Sequence, residues 1–197
     1  SIVFRKGILD ASNNLTVEDV SKHIDLPIIK KKRAYDKQRF MKKMEEMHIP
    51  NEYSAPIMAS LPDRFEYYDL KDAVKNILNM NIDDHRRNAL KEMTWLVDSY
   101  YDIEFHEDSR ISGRAIFPIS SSESRGIEDA RFVRFMDDDG TETIYATYTA
   151  YDGFTILPKL ISTNDFRNFR IMPMHGNGAQ NKNFALFPRK IKGKYAM

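Results

Sequence analysis

Two short segments carry the polar residues best suited to chemistry, because each sets charges or carboxamides against an apolar, strand-like run. In Glu123-Ser124-Arg125-Gly126-Ile127-Glu128-Asp129-Ala130-Arg131-Phe132, two adjacent carboxylates are flanked by two arginines. Successive side chains on a strand point to opposite faces, so Glu128 and Asp129 are expected to do different jobs. One would face a cleft while the other holds structure through Arg125 or Arg131. A paired surface charge cluster explains the segment equally well, since structural ion-pair networks are common. In Gln180-Asn181-Lys182-Asn183-Phe184-Ala185-Leu186-Phe187-Pro188, a cation sits among three carboxamides. That set suits an oxyanion or an array of sugar hydroxyls. Taken alone, it reads as a solvated turn.

Other chemistries lack their residues. The chain has no cysteine, which removes disulfide scaffolds, thiolate zinc sites, iron–sulfur clusters and cysteine nucleophiles together. Its histidines, His23, His48, His85, His106 and His175, are scattered and show no His-Glu-x-x-His spacing, so a metal site is unsupported. The glycines are dispersed, and Gly176-Asn177-Gly178 lacks the strand–turn–helix setting of a dinucleotide loop. No Gly-x-Ser-x-Gly occurs, and Ser120-Ser121-Ser122 reads as loop. Lysines and arginines number 30 against 29 acidic residues, a balance that argues against a protein built around nucleic acid or an acidic membrane. The local basic run Lys30-Lys31-Lys32-Arg33, continued by Lys37, Arg39, Lys42 and Lys43, is read as a solvated helix face, because Glu45 and Glu46 follow and aromatic interleaving is thin.

The elements that must position these residues follow from hydrophobic period. At 197 residues the chain has room for about one ordinary domain, and 42% hydrophobic content is enough for a core. Residues 1–15 read as a strand (Ile2, Phe4) that closes in a loop at Asp10–Asn14 and pairs with something upstream. Residues 16–100 carry helical spacing: Phe40, Met44 and Met47; then Leu70, Val74 and Ile77; then Leu90, Met93 and Val97. Three helices are expected, with Asp69 and Asp83 at N-cap positions. Pro27, Pro50, Pro56 and Pro62 would keep the intervening stretches irregular. Trp95 is read as a core or inter-element anchor. From residue 101 the period changes to two. Ile103-Phe105, Ala130–Phe135, Ile144–Tyr148 and Phe184–Leu186 alternate with turn signals at Asp138-Asp139-Gly140, Asp152-Gly153 and Ser162–Asp165. Consecutive antiparallel strands result, hence a sandwich, barrel or propeller. No run of about 18 uncharged apolar residues is present. The strand-like runs at both ends give the expectation of a piece of a longer chain.

Taken in order, Gly126-Ile127-Glu128-Asp129-Ala130-Arg131-Phe132, Tyr145–Gly153, Ser162–Phe166 and Asn181-Lys182-Asn183 leading into Leu186–Tyr195 resemble glycoside hydrolase family 130, the mannoside phosphorylases and related β-mannosidases. The resemblance runs through residues 123–197. It implies a mainly β fold with a helical insertion, part of a five-bladed β-propeller: 1–15 in an incomplete blade, 16–100 the insertion, 101–197 one blade and the start of the next. Asp129 matches the family's general acid, and Lys182 a lysine of the phosphate site, with Asn181 beside it. Tyr148, Thr149 and Asp152 fall near the sugar, while Glu128 and Arg131 are read as structural. No cofactor is implied beyond inorganic phosphate as co-substrate. The expected partners are a β-mannoside oligosaccharide and phosphate, with a homo-oligomer compatible, no nucleic acid or membrane, and a cytoplasmic location.

Within that family, an inverting hydrolase needs two carboxyls roughly 6.5–9.5 Å apart with water between them. A phosphorylase needs only the acid, because phosphate is already an anionic nucleophile that cations and amides must hold in place. Lys182 with its carboxamides, and the lack of any acidic residue after Asp165, favour phosphate. Asp129 must begin the cycle protonated, a state that enclosure favours. The alternatives are a β-mannosidase, a non-catalytic sugar-binding propeller, and a helical zone serving as an interaction or oligomerisation module.

Overall fold

Alternating apolar residues from 126 to 173 pass through three turns, and each turn is closed by an aspartate. In the computed structural model, which describes residues 1–31, 34–176, 178–179 and 181–197, this stretch forms β9 (Gly126–Met136), β10 (Glu142–Tyr151), β11 (Ile156–Thr163) and β12 (Asn168–Pro173). Asp137 turns β9 into β10, where its amide donates to the Thr141 carbonyl and Gly140 takes φ +82°. Asp152 Oδ1 accepts from the Phe154 and Thr155 amides, and Asp165 Oδ1 from those of Arg167 and Asn168. Such side-chain-to-backbone bonds imitate a turn and so favour it locally. Lys32 and Arg33 of the basic stretch, Asn177 between its two glycines and Gln180 of the carboxamide segment lie outside the described residues.

Before this meander come β1 (Ile2–Val3), β2 (Gly7–Leu9), β3 (Leu15–Val17), β4 (Ile28–Lys30), β5 (Tyr35–Asp36), β6 (Arg64–Phe65), β7 (Tyr101–Glu104) and β8 (Ala115–Ile116). Between β5 and β7 lie α1 (Lys37–Glu46), α2 (Asn51–Ser60), α3 (Tyr67–Leu78) and α4 (Asp84–Asp98). The main sheet has the antiparallel order β4-β7-β12-β11-β10-β9, with two-stranded pairs β1-β8, β2-β3 and β5-β6 beside it. The protein is therefore mainly β with helices. The sheet is open, and among the described residues it closes into neither a barrel nor a propeller.

Two apolar cores lie on either side of α4. One joins the helices through Phe40, Met44, Ile57, Phe65, Leu70, Leu90 and Met93; the other backs the sheet with Phe4, Ile103, Ile127, Tyr148, Ile161 and Phe169. Trp95 packs against both, the anchoring place expected of it.

Several sequence expectations are corrected. Residues 2–3 find a partner within the chain, β8. The described helices number four, because α2 runs through Pro56. A proline inside a helix costs about 3 kcal/mol, but α2 seats Ile57 and Met58 in the core at 2% and 1% exposure, and burial of two such side chains offsets that cost. Asp83 caps α4 as expected, accepting from the Arg86 amide. Asp69 instead lies three residues inside α3, where its carboxylate accepts from the amide of the true cap, Glu66. Phe184–Leu186 is not a strand. The basic run divides: Lys37, Arg39, Lys42 and Lys43 lie on α1, whereas Lys30 is in β4 paired with Glu104 and Lys31 bonds Asp98 at 3.0 Å.

Candidate functional site

Strand β9 has to solve a pattern conflict. Period two puts Ile127, Asp129 and Arg131 on one face, yet Ile127 lies in the sheet core, Ala130 packs against that core, and the Phe132 ring meets Phe4 edge-on at 5.8 Å. One extra residue resolves the conflict. Thr147 pairs with Arg131 and Thr149 with Glu128, so the single residue Tyr148 faces both Asp129 and Ala130 in a β-bulge. Asp129 is the bulged residue, at φ +57°. In that left-handed region a non-glycine residue costs on the order of 1–3 kcal/mol, with aspartate among the more tolerant types. Bulges of this kind re-aim a side chain out of the regular alternation.

Both carboxylates of the pair are exposed. Among the described residues neither Glu128 nor Asp129 makes a hydrogen bond or ion pair, and the anticipated clamp by Arg125 or Arg131 does not form. Arg125 instead packs its aliphatic stem against Gly153. Asp129 is thus an unpaired carboxyl on a strained backbone, beside a strand edge.

Beneath the bulge the sheet buries a charge pair. The side chains of Glu123 and Lys159 are both wholly inaccessible and meet at 2.7 Å. Glu123 Oε1 also accepts from the Tyr148 hydroxyl at 2.6 Å and the Tyr101 hydroxyl at 2.9 Å; its Oε2 accepts from the Ile119 and Ser120 amides at 2.8 and 3.0 Å. Lys159 Nζ donates further to Ser120 Oγ and lies 5.2 Å from the centre of the Tyr101 ring. Ser120 and Ser99 both bond Ser122, which ties the end of α4 into the same network. Burial pushes Lys159 down to about 8 against the opposing pull of Glu123. Burial also pushes Glu123 up, but the Lys159 charge and the converging donors outweigh it and hold the carboxyl below its ordinary value. At neutral pH the pair is therefore ionised.

The C-terminal segment lies along the same strand pair. Thr147 Oγ1 donates to the Phe184 carbonyl, the Met136 amide to the Pro188 carbonyl, and the Tyr195 ring stacks on Phe135 at 5.0 Å. Phe184 therefore sits on the rung that borders the bulge, and Lys182 is two residues before it. Asn181 and Lys182 are exposed and without partners among the described residues.

The other sequence candidates fall in different surroundings. Tyr148 is buried with its hydroxyl committed to Glu123. Thr149 is buried opposite Glu128. Asp152 uses Oδ1 to close its turn, and it lines a cavity of about 520 Å³ together with Trp95, Glu92 and Lys91. Bulge and segment thus bring Asp129, Thr147 and Phe184 onto neighbouring rungs, while Asp152 lies around the next turn. Sequence reasoning missed Glu123 and Lys159. The available signal was a lysine inside the apolar run Ile156-Leu157-Pro158-Lys159-Leu160-Ile161, which a strand buried on both faces tolerates only when the charge is paired.

The chain is similar to one curated protein over part of its length. Over 82 residues the chain is 33% identical to a beta-1,2-mannobiose phosphorylase of Listeria innocua serovar 6a. The aligned part is 41% of this chain and 21% of that protein, so the match spans about a fifth of the relative's length. No protein-family model and no solved structure matches the chain. No helix among the described residues is long and apolar enough to cross a membrane.

Proposed function

We propose that the chain belongs to a mannoside-processing enzyme that cleaves β-mannosides by inverting phosphorolysis, with Asp129 as proton donor. The observation that carries this reading is the placement of Asp129: a bulge lifts one carboxyl out of the strand alternation and leaves it, among the described residues, unpaired at a sheet edge. The similarity to a mannobiose phosphorylase supports the substrate class. The meander β9–β12 has the four-stranded antiparallel form of a propeller blade, so the proposed setting is part of a five-bladed β-propeller.

In this reading Asp129 delivers its proton to the departing sugar, and inorganic phosphate attacks the anomeric carbon from the opposite face. The glycosidic bond breaks as the new C–O bond to phosphate forms, giving mannose 1-phosphate with inverted configuration. Lys182 and Asn181 hold the phosphate by charge and amide donation. Residues 166–197 carry lysines and arginines and no carboxylate, which leaves an incoming anion unopposed there. Asp152 Oδ2 has no partner among the described residues and is offered to a sugar hydroxyl, whereas Thr149 is buried and supports the strand behind it.

Incubation of the full-length protein that contains this chain with β-1,2-mannobiose and phosphate is the test. Mannose 1-phosphate should form, and Asp129→Asn should slow its formation about 10²–10⁴-fold, the usual worth of a positioned general acid. Free mannose released at a rate independent of phosphate would identify a hydrolase. Near-normal turnover by Asp129→Asn would remove the assigned role.

A further inference from the structure

Tyr148 is the single residue that β10 sets against the two bulged residues of β9, and its hydroxyl is bonded to the buried Glu123 carboxylate. From this juxtaposition we propose that Glu123 is a positioning residue for Asp129: held by Lys159, Tyr101 and two backbone amides, it pins Tyr148 and so fixes where along the strand pair the bulge stands. Its functional meaning rests on Asp129 as proton donor, while the geometric claim does not.

The apolar pattern demands one extra residue between Ile127 and Phe132, since Ile127 lies in the core and Phe132 meets the core ring of Phe4, but it does not say which residue is extra. A bulge displaced toward the C-terminus would restore the Ile127 alternation at Asp129 and turn its carboxyl to the core face. A bulge displaced toward the N-terminus would relieve the left-handed backbone at Asp129 and return it to the ordinary extended pleat. Side-chain packing around Ala130 is too small to choose among these registers. A tyrosine held opposite the bulge does choose.

Stability alone is a poor account of this network. Taking two charges out of water offsets most of their attraction, and a well-packed apolar pair of similar volume often stabilises as much or more. What such a pair contributes instead is a fixed geometry, and here five donors converge on one carboxylate from the strands β7, β10 and β11 and the loop before β9.

NMR of the chain tests the register directly. Tyr148→Phe keeps the ring and removes the pin. Doubled amide signals are expected for residues 127–132, together with weakened Thr147–Arg131 and Thr149–Glu128 cross-strand contacts. The HN–Hα coupling of Asp129 should move from its left-handed value toward the larger extended one. The double variant Glu123→Gln/Lys159→Met, which removes both charges at similar volume, should give the same heterogeneity. A single wild-type register in both variants, even with a lowered melting temperature, would mark the network as merely structural and overturn the proposal. In turnover, Tyr148→Phe should slow mannobiose cleavage about tenfold, a fraction of the full worth of the acid. It should spare an aryl mannoside whose leaving group needs no proton; equal losses on both substrates would also count against it. If Asp129→Asn proves harmless, the proton-donor reading falls and the register result still decides the geometric claim.

Discussion

At the scale of the residue, Asp129 keeps a strained backbone that no side-chain contact compensates. Its backbone is left-handed and its exposed carboxyl has no partner among the described residues. Relief of that strain should be visible. Asp129→Gly removes the Cβ clash at φ +57° but frees the unfolded chain by a comparable amount, so stability should stay level or rise by up to ~1 kcal/mol. Asp129→Val places a β-branched side chain in that region and should cost about 1–2 kcal/mol. Urea unfolding of the two variants checks the contrast, and equal destabilisation would mean that the bulge does not hold the left-handed backbone.

At the scale of the element, helices and turns are set by side chains that compete for free backbone groups. Asp83 takes the Arg86 amide at 2.8 Å and starts α4, whose buried face of Leu90, Met93, Leu96 and Val97 joins the helical core. Asp83→Ala should lower stability by about 1 kcal/mol, measured as the shift of the denaturant midpoint at unchanged slope. That start was legible in the sequence because an N-cap is a local device. Asp69 departs from the cap position for a related reason. A capping box spreads its signal over two acidic residues, and only the backbone shows that Glu66 is outside the helix and Asp69 inside. The helix through Pro56 was not legible at all, since its support comes from side chains distant in sequence.

At the scale of the whole molecule, the Glu123–Lys159 pair joins what the chain keeps apart, linking the end of α4 through Ser99 and Ser122 to three strands of the sheet. Removing one partner leaves a buried charge alone. Glu123→Ala should therefore cost about 3–5 kcal/mol, and Glu123→Gln/Lys159→Met much less. The pH dependence follows from the same carboxyl. Its folded-state pKa lies below the ordinary 4.5, so the stabilisation it supplies is complete above that value and is lost as pH falls through the folded pKa. Unfolding midpoints should fall below pH 4.5, and Glu123→Gln should flatten that slope. Glu104 and Asp137 at the surface act in the same direction, but salt screens them and leaves the buried contribution. A slope abolished entirely by salt would assign the effect to the surface pairs.

Residue order is enough to set the change from helical to strand period, the three aspartate turns of the meander and the lack of cysteine chemistry, and to single out Gly126–Phe132. Each depends on neighbours within a few residues, where propensity and capping act. Tertiary structure alone decided that Ser1–Phe4 pairs downstream, that α2 survives Pro56, that Glu123 meets Lys159 across 36 positions, and that Asp129 is the residue lifted out of β9. Those outcomes depend on which distant side chains share a buried volume, and no local preference encodes that.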